Sequence, residues 1–325
     1  MSAAVHPMPQ PFAPTESQLA VAYSVCRGIT RSAAKNFYYG FLALPKAKRQ
    51  ALCAVYAFMR KCDDITDDEA VPPQERRNRL HAWLDAFHQA HAGKPTDDPV
   101  LLALTDAQRK FGIPLGLLDE LGFGTGRDLE QNLEQQLSDE REGRTAAATL
   151  FEDGIKIQYA TFEDLRQYCY GVASVVGLVC IRIFGYRDPA AEPLAERCGL
   201  AFQLTNIIRD VKEDAAMGRI YLPLEDLKKF GIAPAEFRTF SDPARFAPLL
   251  ALEADRAREC YQAGEELLNF VEEDSQPALW VLVTIYRKLL EKIASRQYNV
   301  FAGRVRLSTG EKLNILAKGL LKRLL

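Results

Sequence analysis

The residues best suited to chemistry are two groups of polar side chains repeated at helical intervals. The first group is Asp63, Asp64, Asp67 and Asp68. Residues four apart in an α-helix lie about 40° apart around its axis, so the spacing predicts two carboxylate pairs, Asp63 with Asp67 and Asp64 with Asp68. Two carboxylates about 4 Å apart repel by about 4 kcal/mol at an effective dielectric of about 20. Partial burial therefore predicts a cation or a proton between them.

The second group is Asn206, Asp210 and Asp214, again spaced by four residues. Apolar residues occupy most positions between them, on a helix predicted to begin near Pro193, so the oxygen-bearing stripe is expected to face a pocket. Oxygen ligands without histidine or cysteine suit Mg²⁺, which keeps several waters and is commonly completed by phosphate oxygens. The two groups together predict a magnesium site that binds a phosphorylated substrate.

Arginines accompany both groups, at Arg60, Arg209 and Arg219. A guanidinium fork matches phosphate oxygens in a two-pronged way, so these residues are candidates for diphosphate binding. The alternative interpretation is a solvated helix face, on which charge runs are common. Two acidic groups with arginines beside both favour the metal and diphosphate interpretation.

The rest of the sequence predicts one all-α domain. Apolar residues recur at helical spacing, proline and glycine separate the periodic segments, and alternating strand patterns are nearly absent. We predict a loose tail over residues 1–14 and a helical domain over residues 15–325. With 41 Lys+Arg against 43 Asp+Glu the net charge is −2, which argues against a nucleic-acid partner.

Seven scattered cysteines without a Cys-x-x-Cys motif indicate a reducing compartment. The segment before Arg27 lacks the basic start of a secretory signal, so a cytoplasmic location is expected. The most apolar stretch, Tyr170–Tyr186, is shorter than the ~20 residues of a membrane helix and is predicted to be a buried helix.

Three other functions find weaker support. His81, Asp85 and His88 have zinc-compatible spacing, but they belong to an ordinary amphipathic helix pattern. Gly122, Gly124 and Gly126 lack the spacing and the preceding strand of a dinucleotide loop. A di-iron carboxylate bundle would need Glu-x-x-His pairs, and the sequence contains none.

Three segments resemble the signature blocks of the squalene/phytoene synthase family. They are YAFMRKCDDITDD at Tyr56–Asp68, YCYGVASVVG at Tyr168–Gly177 and AFQLTNIIRDVKEDAAMGRIYLP at Ala201–Pro223. The similarity runs from about Arg31 to Lys312. It implies an all-α isoprenoid-synthase helical bundle around a central cavity, in which two aspartate-rich helices bind Mg²⁺ and a prenyl diphosphate substrate.

The resemblance also implies the reaction, a head-to-head joining of two prenyl diphosphates through a cyclopropyl intermediate. Two farnesyl diphosphates giving presqualene diphosphate or squalene is the leading expectation, on the likeness of two segments to the bacterial hopanoid branch. The alternatives are phytoene synthesis from two geranylgeranyl diphosphates and a non-catalytic assembly factor of the same fold. NADPH would be needed only if the product is reduced to squalene.

The resemblance assigns roles residue by residue. The implied metal ligands are Asp63, Asp64, Asp67, Asn206, Asp210 and Asp214, and the implied residues near the reacting carbons are Tyr56, Arg60, Tyr168 and Tyr286. The implied substrate-binding residues are Asn36, Arg60, Val172, Val176, Gln203, Arg209, Arg219, Arg304 and Lys312. Asn36 stands where many relatives have a serine, which removes one hydroxyl contact, and the roles of Asp68 and Asp128 stay open.

The carboxy-terminal segment Glu311–Leu325 has an amphipathic pattern. Leucines at positions 313, 316, 320, 321 and 324 share a helical face, and four basic residues accompany them. The leading expectation is a helix that packs its apolar face on its own domain. The alternative is peripheral contact with the inner membrane face, because the pattern is also typical of a helix in an anionic membrane interface.

Overall fold

The computed structural model describes residues 13–34, 36–124, 126, 129, 151–152 and 155–322. Most of the predicted amino-terminal tail lies outside the described residues, as do Asp128 and the last three residues of the chain.

Helices make up most of the described chain, which confirms the all-α prediction. The first half contains α1 (Glu16–Ala33), α2 (Phe37–Phe41), α3 (Lys46–Thr66), α4 (Pro73–His91), α5 (Pro99–Phe111) and α6 (115–124). The second half contains α7 (Phe162–Cys169), α8 (Val175–Phe184), α9 (Ala191–Ala216), α10 (Leu224–Lys229), α11 (Glu236–Thr239), α12 (Ala247–Leu267), α13 (Gln276–Ala294) and α14 (Thr309–Lys322). Their apolar faces form one continuous core.

A small three-stranded sheet lies beside the helices. It pairs β1 (Phe151–Glu152) antiparallel with β2 (Ile155–Ile157), and β2 parallel with β3 (Arg219–Ile220). The sequence does not predict these strands, because segments of two or three residues are too short to show alternation. The sheet matters for the site because β3 fixes the position of Arg219 directly after α9.

The aspartates of the first group lie at the carboxy-terminal end of α3. The helix ends at Thr66, and the backbone N–H of Asp67 closes the last turn on the carbonyl of Asp63 at 2.8 Å. Asp68 lies beyond the helix, where its carboxylate accepts a hydrogen bond from the backbone of Ala70. The predicted helical pairing of Asp64 with Asp68 is therefore wrong, because α3 stops two residues too early for it.

The most apolar segment is longer than predicted, because α7 and α8 are joined by a π-helical turn at Tyr170–Ser174. The resulting run, Phe162–Phe184, has the length and composition of a membrane span, but half of its most apolar window is buried inside the protein. A Cβ on Gly177 would lie 2.6 Å from the carbonyl oxygen of Ala195. This close approach shows that α8 packs directly against α9 as a core helix, as predicted.

Candidate active site

An apolar cavity lies between α2, α3, α8, α9 and α13. Val172 and Val176 line it, in the position that the family resemblance implies for the chain-binding wall. Tyr56, Gln203 and Asn206 line the end nearest the two acidic groups. The opposite end is closed by apolar side chains, which include Leu52, Phe184, Leu267 and Leu279. The cavity therefore has one polar and one apolar end.

The first acidic group stands at the polar end. Arg60 contacts Asp64 at 2.5 Å, and both side chains are about half exposed. Burial, followed by the charge of Asp67, raises the pKa of Asp63 to about 6. Burial also raises the pKa of Asp67, and the guanidinium of Arg219 opposes this rise. The group thus contains two partly desolvated carboxylates whose mutual repulsion a cation would relieve.

The second acidic group lies on α9 and is held by arginines. The Asp210 carboxylate accepts two hydrogen bonds from Arg209, at 2.7 and 2.5 Å, and two from Arg304, both at 2.7 Å. Burial favours the neutral acid, but these two guanidinium groups hold the pKa of Asp210 below its ordinary value. Burial, with the charges of Asp210 and Glu213, raises the pKa of Asp214 to about 7.

Arg219 connects the two groups electrostatically. Its positive charge opposes the rise that burial causes in the pKa of Asp67, at the end of α3, and in that of Asp214, on α9. One guanidinium can act on both carboxylates only if the two helix ends face each other. The structure therefore brings the two predicted acidic groups to the same end of the cavity.

Asn206 and Tyr286 form the boundary between the acidic groups and the cavity. The Asn206 side-chain oxygen is buried without a hydrogen-bond partner, and its nitrogen lies 3.5 Å from the side-chain oxygen of Gln203. Burial raises the pKa of Tyr286 to about 12, against hydrogen bonds with Asn206 and Asn36 that lower it. Tyr286 therefore keeps its proton at neutral pH, and the Asn206 oxygen is left available to a cation.

The donor set fits Mg²⁺ bound together with a diphosphate. All the candidate ligands are oxygen atoms, and the buried Asn206 oxygen without a partner would be satisfied by a cation. In the described part of the chain no three carboxylate, imidazole or thiol groups lie close enough together to hold a metal ion by themselves. Mg²⁺ is commonly held by one or two carboxylates together with phosphate oxygens and water.

The structure places Tyr168 and Lys312 away from the cavity lining. Tyr168 stacks on Tyr221 with ring centroids 5.4 Å apart, close to β3. The Lys312 ammonium lies 5.5 Å above the ring of Tyr39, in a surface groove between α2 and α14. Of the three tyrosines that the resemblance implies, Tyr56 lines the cavity and Tyr286 lies beside it. Tyr168 is not part of the lining.

The spacing of the acidic residues does not predict several other features of the site. Phe202 stacks on Tyr286 with centroids 4.4 Å apart and an interplanar angle of 11°, and it lines the cavity. Arg76 donates to the backbone carbonyl of Thr66 at 2.7 Å, beside Asp67. Glu213 has a buried carboxylate oxygen without a hydrogen-bond partner. Of these three residues, only Glu213 could have been found from the sequence, because it is adjacent to Asp214.

The weaker candidates for chemistry have structural roles. His88 contacts Asp119 at 2.6 Å on the protein surface. Gly122 and Gly124 lie in α6, and a Cβ on Gly124 would lie 2.4 Å from the carbonyl oxygen of Gly171. Gly124 is therefore needed for close helix packing.

Comparison with known proteins identifies the family. The sequence profile of squalene/phytoene synthases matches residues 30–311, which is most of the chain. The chain belongs to the squalene/phytoene synthase family. It is accordingly a prenyltransferase of the head-to-head condensing type, and the predicted fold and enzyme class are confirmed.

Curated relatives and solved structures describe different members of this family. The 15-cis-phytoene synthase of Synechococcus elongatus is 32% identical over 320 residues, covering 94% of each chain. The phytoene synthase of Mycobacterium tuberculosis is 34% identical over 308 residues, covering 94% of this chain and 92% of its own. A dehydrosqualene synthase complex superposes with a TM-score of 0.78 at 29% identity, covering 94% of this chain and 98% of that chain.

Squalene synthase HpnC from Alicyclobacillus acidocaldarius also superposes, with a TM-score of 0.72 at 28% identity, over 88% of this chain and 97% of that chain. The curated relatives agree with the expected reaction class, and they favour the phytoene alternative over the leading expectation of squalene synthesis.

Proposed function

We propose that this enzyme condenses two geranylgeranyl diphosphates head to head to form phytoene. The observation that carries the proposal is the likeness to phytoene synthases, which are 32–34% identical over 94% of the chain. A chain of this family must bind two diphosphate groups at one end of an apolar cavity that is long enough for the hydrocarbon.

The apolar cavity has room along α9 for a prenyl chain. Its lining on this helix runs from Ala195 to Asn206, a separation of about 16–17 Å at 1.5 Å per residue. A prenyl chain can therefore lie along α9 with its diphosphate at the acidic end.

Arginine residues receive the diphosphate groups in the proposed mechanism. Arg60, Arg209, Arg219 and Arg304 lie at the acidic end, where they now neutralise aspartates. When diphosphate and metal bind, the carboxylates gain a cation and the guanidinium groups gain phosphate oxygens, so both sets of charges are paired again. This positions the allylic C–O bond at the mouth of the apolar cavity.

Mg²⁺, bound by Asp63, Asp67, Asn206, Asp210 and Asp214, would supply the positive charge that stabilises the departing diphosphate. Asp64, which pairs with Arg60, would complete this ligand set. The protein's own contribution is to hold these oxygen atoms close together in a partly buried site, where burial first and neighbouring carboxylate charges second raise the pKa of Asp63 and of Asp214.

The cavity then protects the carbocation. Its wall is almost entirely apolar, so water that would quench the cation is excluded. The ring faces of Tyr56 and Phe202 line the polar end, where a passing cation can gain about 0.5–2 kcal/mol from each. In phytoene formation two diphosphates leave with their bonding electrons and two protons are lost. No reductant enters this balance.

The test is product analysis with purified enzyme and Mg²⁺. Geranylgeranyl and farnesyl diphosphates are supplied separately, each with and without NADPH, and products are separated by chromatography and weighed by mass spectrometry. We expect a C40 hydrocarbon from geranylgeranyl diphosphate, independent of NADPH. A C30 product from farnesyl diphosphate formed with higher kcat/KM would contradict the proposal.

A second candidate is condensation of two farnesyl diphosphates. It is favoured by the superposition on dehydrosqualene and squalene synthase structures, whose identities reach 28–29%. Squalene would require a hydride in place of the second proton loss, so NADPH dependence in the same assay separates squalene from dehydrosqualene as the product.

A further inference from the structure

Helix α14 presents apolar side chains on both of its sides. Ile315 and Leu316 are buried against the body of the protein. Leu313, Leu320 and Leu321 are 50%, 39% and 57% exposed, and they account for three of the seven large exposed hydrophobic residues in the described ranges. The prediction that Leu316 shares one helical face with these three leucines is wrong, because Leu316 is buried whereas they are exposed.

The inward side of α14 is already closely packed. A Cβ on Gly319 would lie 2.5 Å from Val281 and 3.2 Å from Trp280, so the glycine lets α14 seat directly on α13. The outward leucines are therefore exposed although the inward side of α14 is fully packed by other residues. With Ala317, also exposed, they fall at the i, i+4, i+7 and i+8 positions of one stripe, which we call the outer stripe.

Basic residues are concentrated in the sequence around the outer stripe. Residues 309–325 contain three lysines and one arginine against the single acidic residue Glu311. The Glu311 carboxylate is already paired with Lys292 at 3.0 Å. The whole chain carries a net charge of −2, so this concentration of basic residues is a local feature. An apolar stripe with basic flanks complements an anionic lipid surface.

The groove beside α14 lies next to the wall of the substrate cavity. The short helix α2 turns Phe37 and Phe41 into the cavity and turns Tyr38, Tyr39 and Leu42 into the groove. One five-residue helix thus separates the apolar cavity from the surface that carries Lys312 and α14. Tyrosines, with an apolar ring and a polar tip, suit the boundary between water and lipid.

We propose that the outer stripe of α14 docks the enzyme on an anionic phospholipid bilayer, with the α2 groove facing the lipid. The docking rests on the stripe and its charge and does not depend on which diphosphate is the substrate. Its consequence for the proposed function is that a water-insoluble hydrocarbon would leave across α2 directly into the bilayer.

The test compares two double variants by vesicle sedimentation. Leu320→Gln/Leu321→Gln removes half of the outer stripe, and Val21→Gln/Val25→Gln removes a similarly exposed apolar pair from α1. With vesicles of phosphatidylglycerol and phosphatidylcholine we expect the α14 variant to bind at least fivefold less than wild type, and the α1 variant to bind like wild type. Vesicles of phosphatidylcholine alone should bind wild type less.

Equal binding of the α14 variant and wild type, or no wild-type binding to anionic vesicles, would overturn the proposal. The other candidate occupant of the outer stripe is a second copy of this chain, and sedimentation equilibrium without lipid tests for it. If wild type is a dimer and the α14 variant a monomer, the stripe is an interface between copies and the proposal also fails. Turnover in detergent should be equal for all three proteins, which separates this test from that of the substrate assignment.

Discussion

Arg304 and Asp210 are joined by a two-pronged salt bridge across 94 residues of sequence. The Nε and Nη2 atoms of Arg304 each lie 2.7 Å from a carboxylate oxygen of Asp210. Arg209, which is also on α9, donates two further hydrogen bonds to the same carboxylate. A predicted metal ligand is thus held by two predicted diphosphate-binding residues. In the free protein each group supplies the charge that substrate and metal would supply later.

Replacing Arg209 by lysine should impair catalysis although the charge is kept. An ammonium group offers a single point of contact, so it cannot hold two oxygens of a carboxylate or a phosphate in a fixed plane. We expect kcat/KM to fall by about tenfold or more. Arg166→Lys is the matched control, because Arg166 makes an equally two-pronged bridge to Glu163 on an exposed surface. Similar losses in both variants would contradict a direct role for Arg209.

The two neighbouring aspartates at the end of α3 should behave differently. Asp63→Ala removes a partly buried carboxylate of the proposed metal ligands, and we expect turnover to fall by at least about 100-fold with unchanged helical circular dichroism. Asp68→Ala removes a carboxylate that only caps the following turn, and activity should stay within about threefold of wild type. Near-normal turnover of the Asp63 variant would refute the metal assignment.

The requirement for Mg²⁺ should increase as the pH falls. The pKa of Asp214 is about 7 and that of Asp63 about 6, so both carboxylates become neutral below these values and a metal must displace their protons. Between pH 8 and pH 6 we expect the apparent activation constant for Mg²⁺ to rise by about tenfold or more. Titrating inorganic diphosphate with Mg²⁺ in the same buffers corrects for substrate protonation. A constant requirement over this range would contradict the prediction.

The sequence predicted best what depends on helical periodicity. A spacing of four residues places Asn206, Asp210 and Asp214 on one stripe wherever the helix lies in the fold, and Arg219, which follows α9, acts electrostatically on both Asp214 and Asp67. The end of α3 was less predictable. No glycine or proline stands between Thr66 and Asp68, so the pattern alone could not show that the helix stops there.

The sequence could not predict contacts between distant segments, because these contacts depend on how the helices pack. Arg304 lies in a loop between α13 and α14, and its contact with Asp210 depends on how several helices pack. Tyr168 and Tyr286 look alike as aromatic residues on apolar helices. Their surroundings differ because Tyr286 stacks on Phe202 near the cavity, whereas Tyr168 stacks on Tyr221 near β3.

Filling the deep end of the cavity should change the preferred chain length. Ala195 lies at the end of the α9 cavity lining farthest from Asn206, where α9 passes α8, so leucine at this position would shorten the space for a prenyl chain. We expect Ala195→Leu to raise the ratio of kcat/KM for farnesyl over geranylgeranyl diphosphate by about tenfold, as a lost fit of about 1–3 kcal/mol implies. Because both substrates are measured on one variant, a general loss of stability cancels from the ratio. An unchanged ratio would contradict the prediction, because it would show that the prenyl chain does not reach Ala195.

A second buried charge cluster lies away from the active site. Glu253 on α12 and Asp226 on α10 share the single guanidinium of Arg256, at 2.9 and 2.6 Å. The Glu253 side chain is 1% exposed, and one of its oxygens has no hydrogen-bond partner. Burial raises the pKa of Glu253 from 4.5 to about 7, against the opposing charge of Arg256. Two carboxylates thus compete for one cation.

This cluster predicts that Glu253→Gln stabilises the protein at alkaline pH and not at acidic pH. Because the folded-state pKa lies above the unfolded value, the stabilising proton is fully bound below about pH 4.5 and is lost as the pH rises through about 7. The lost contribution is about 3 kcal/mol, and a glutamine amide retains the neutral form at every pH. We expect equal melting temperatures for variant and wild type at pH 5, and a variant about 4 °C or more higher at pH 8. Glu75→Gln, at an exposed pair with Arg79, is the control and should shift neither value. An equal effect of Glu253→Gln at both pH values would show that the carboxyl does not titrate in this range.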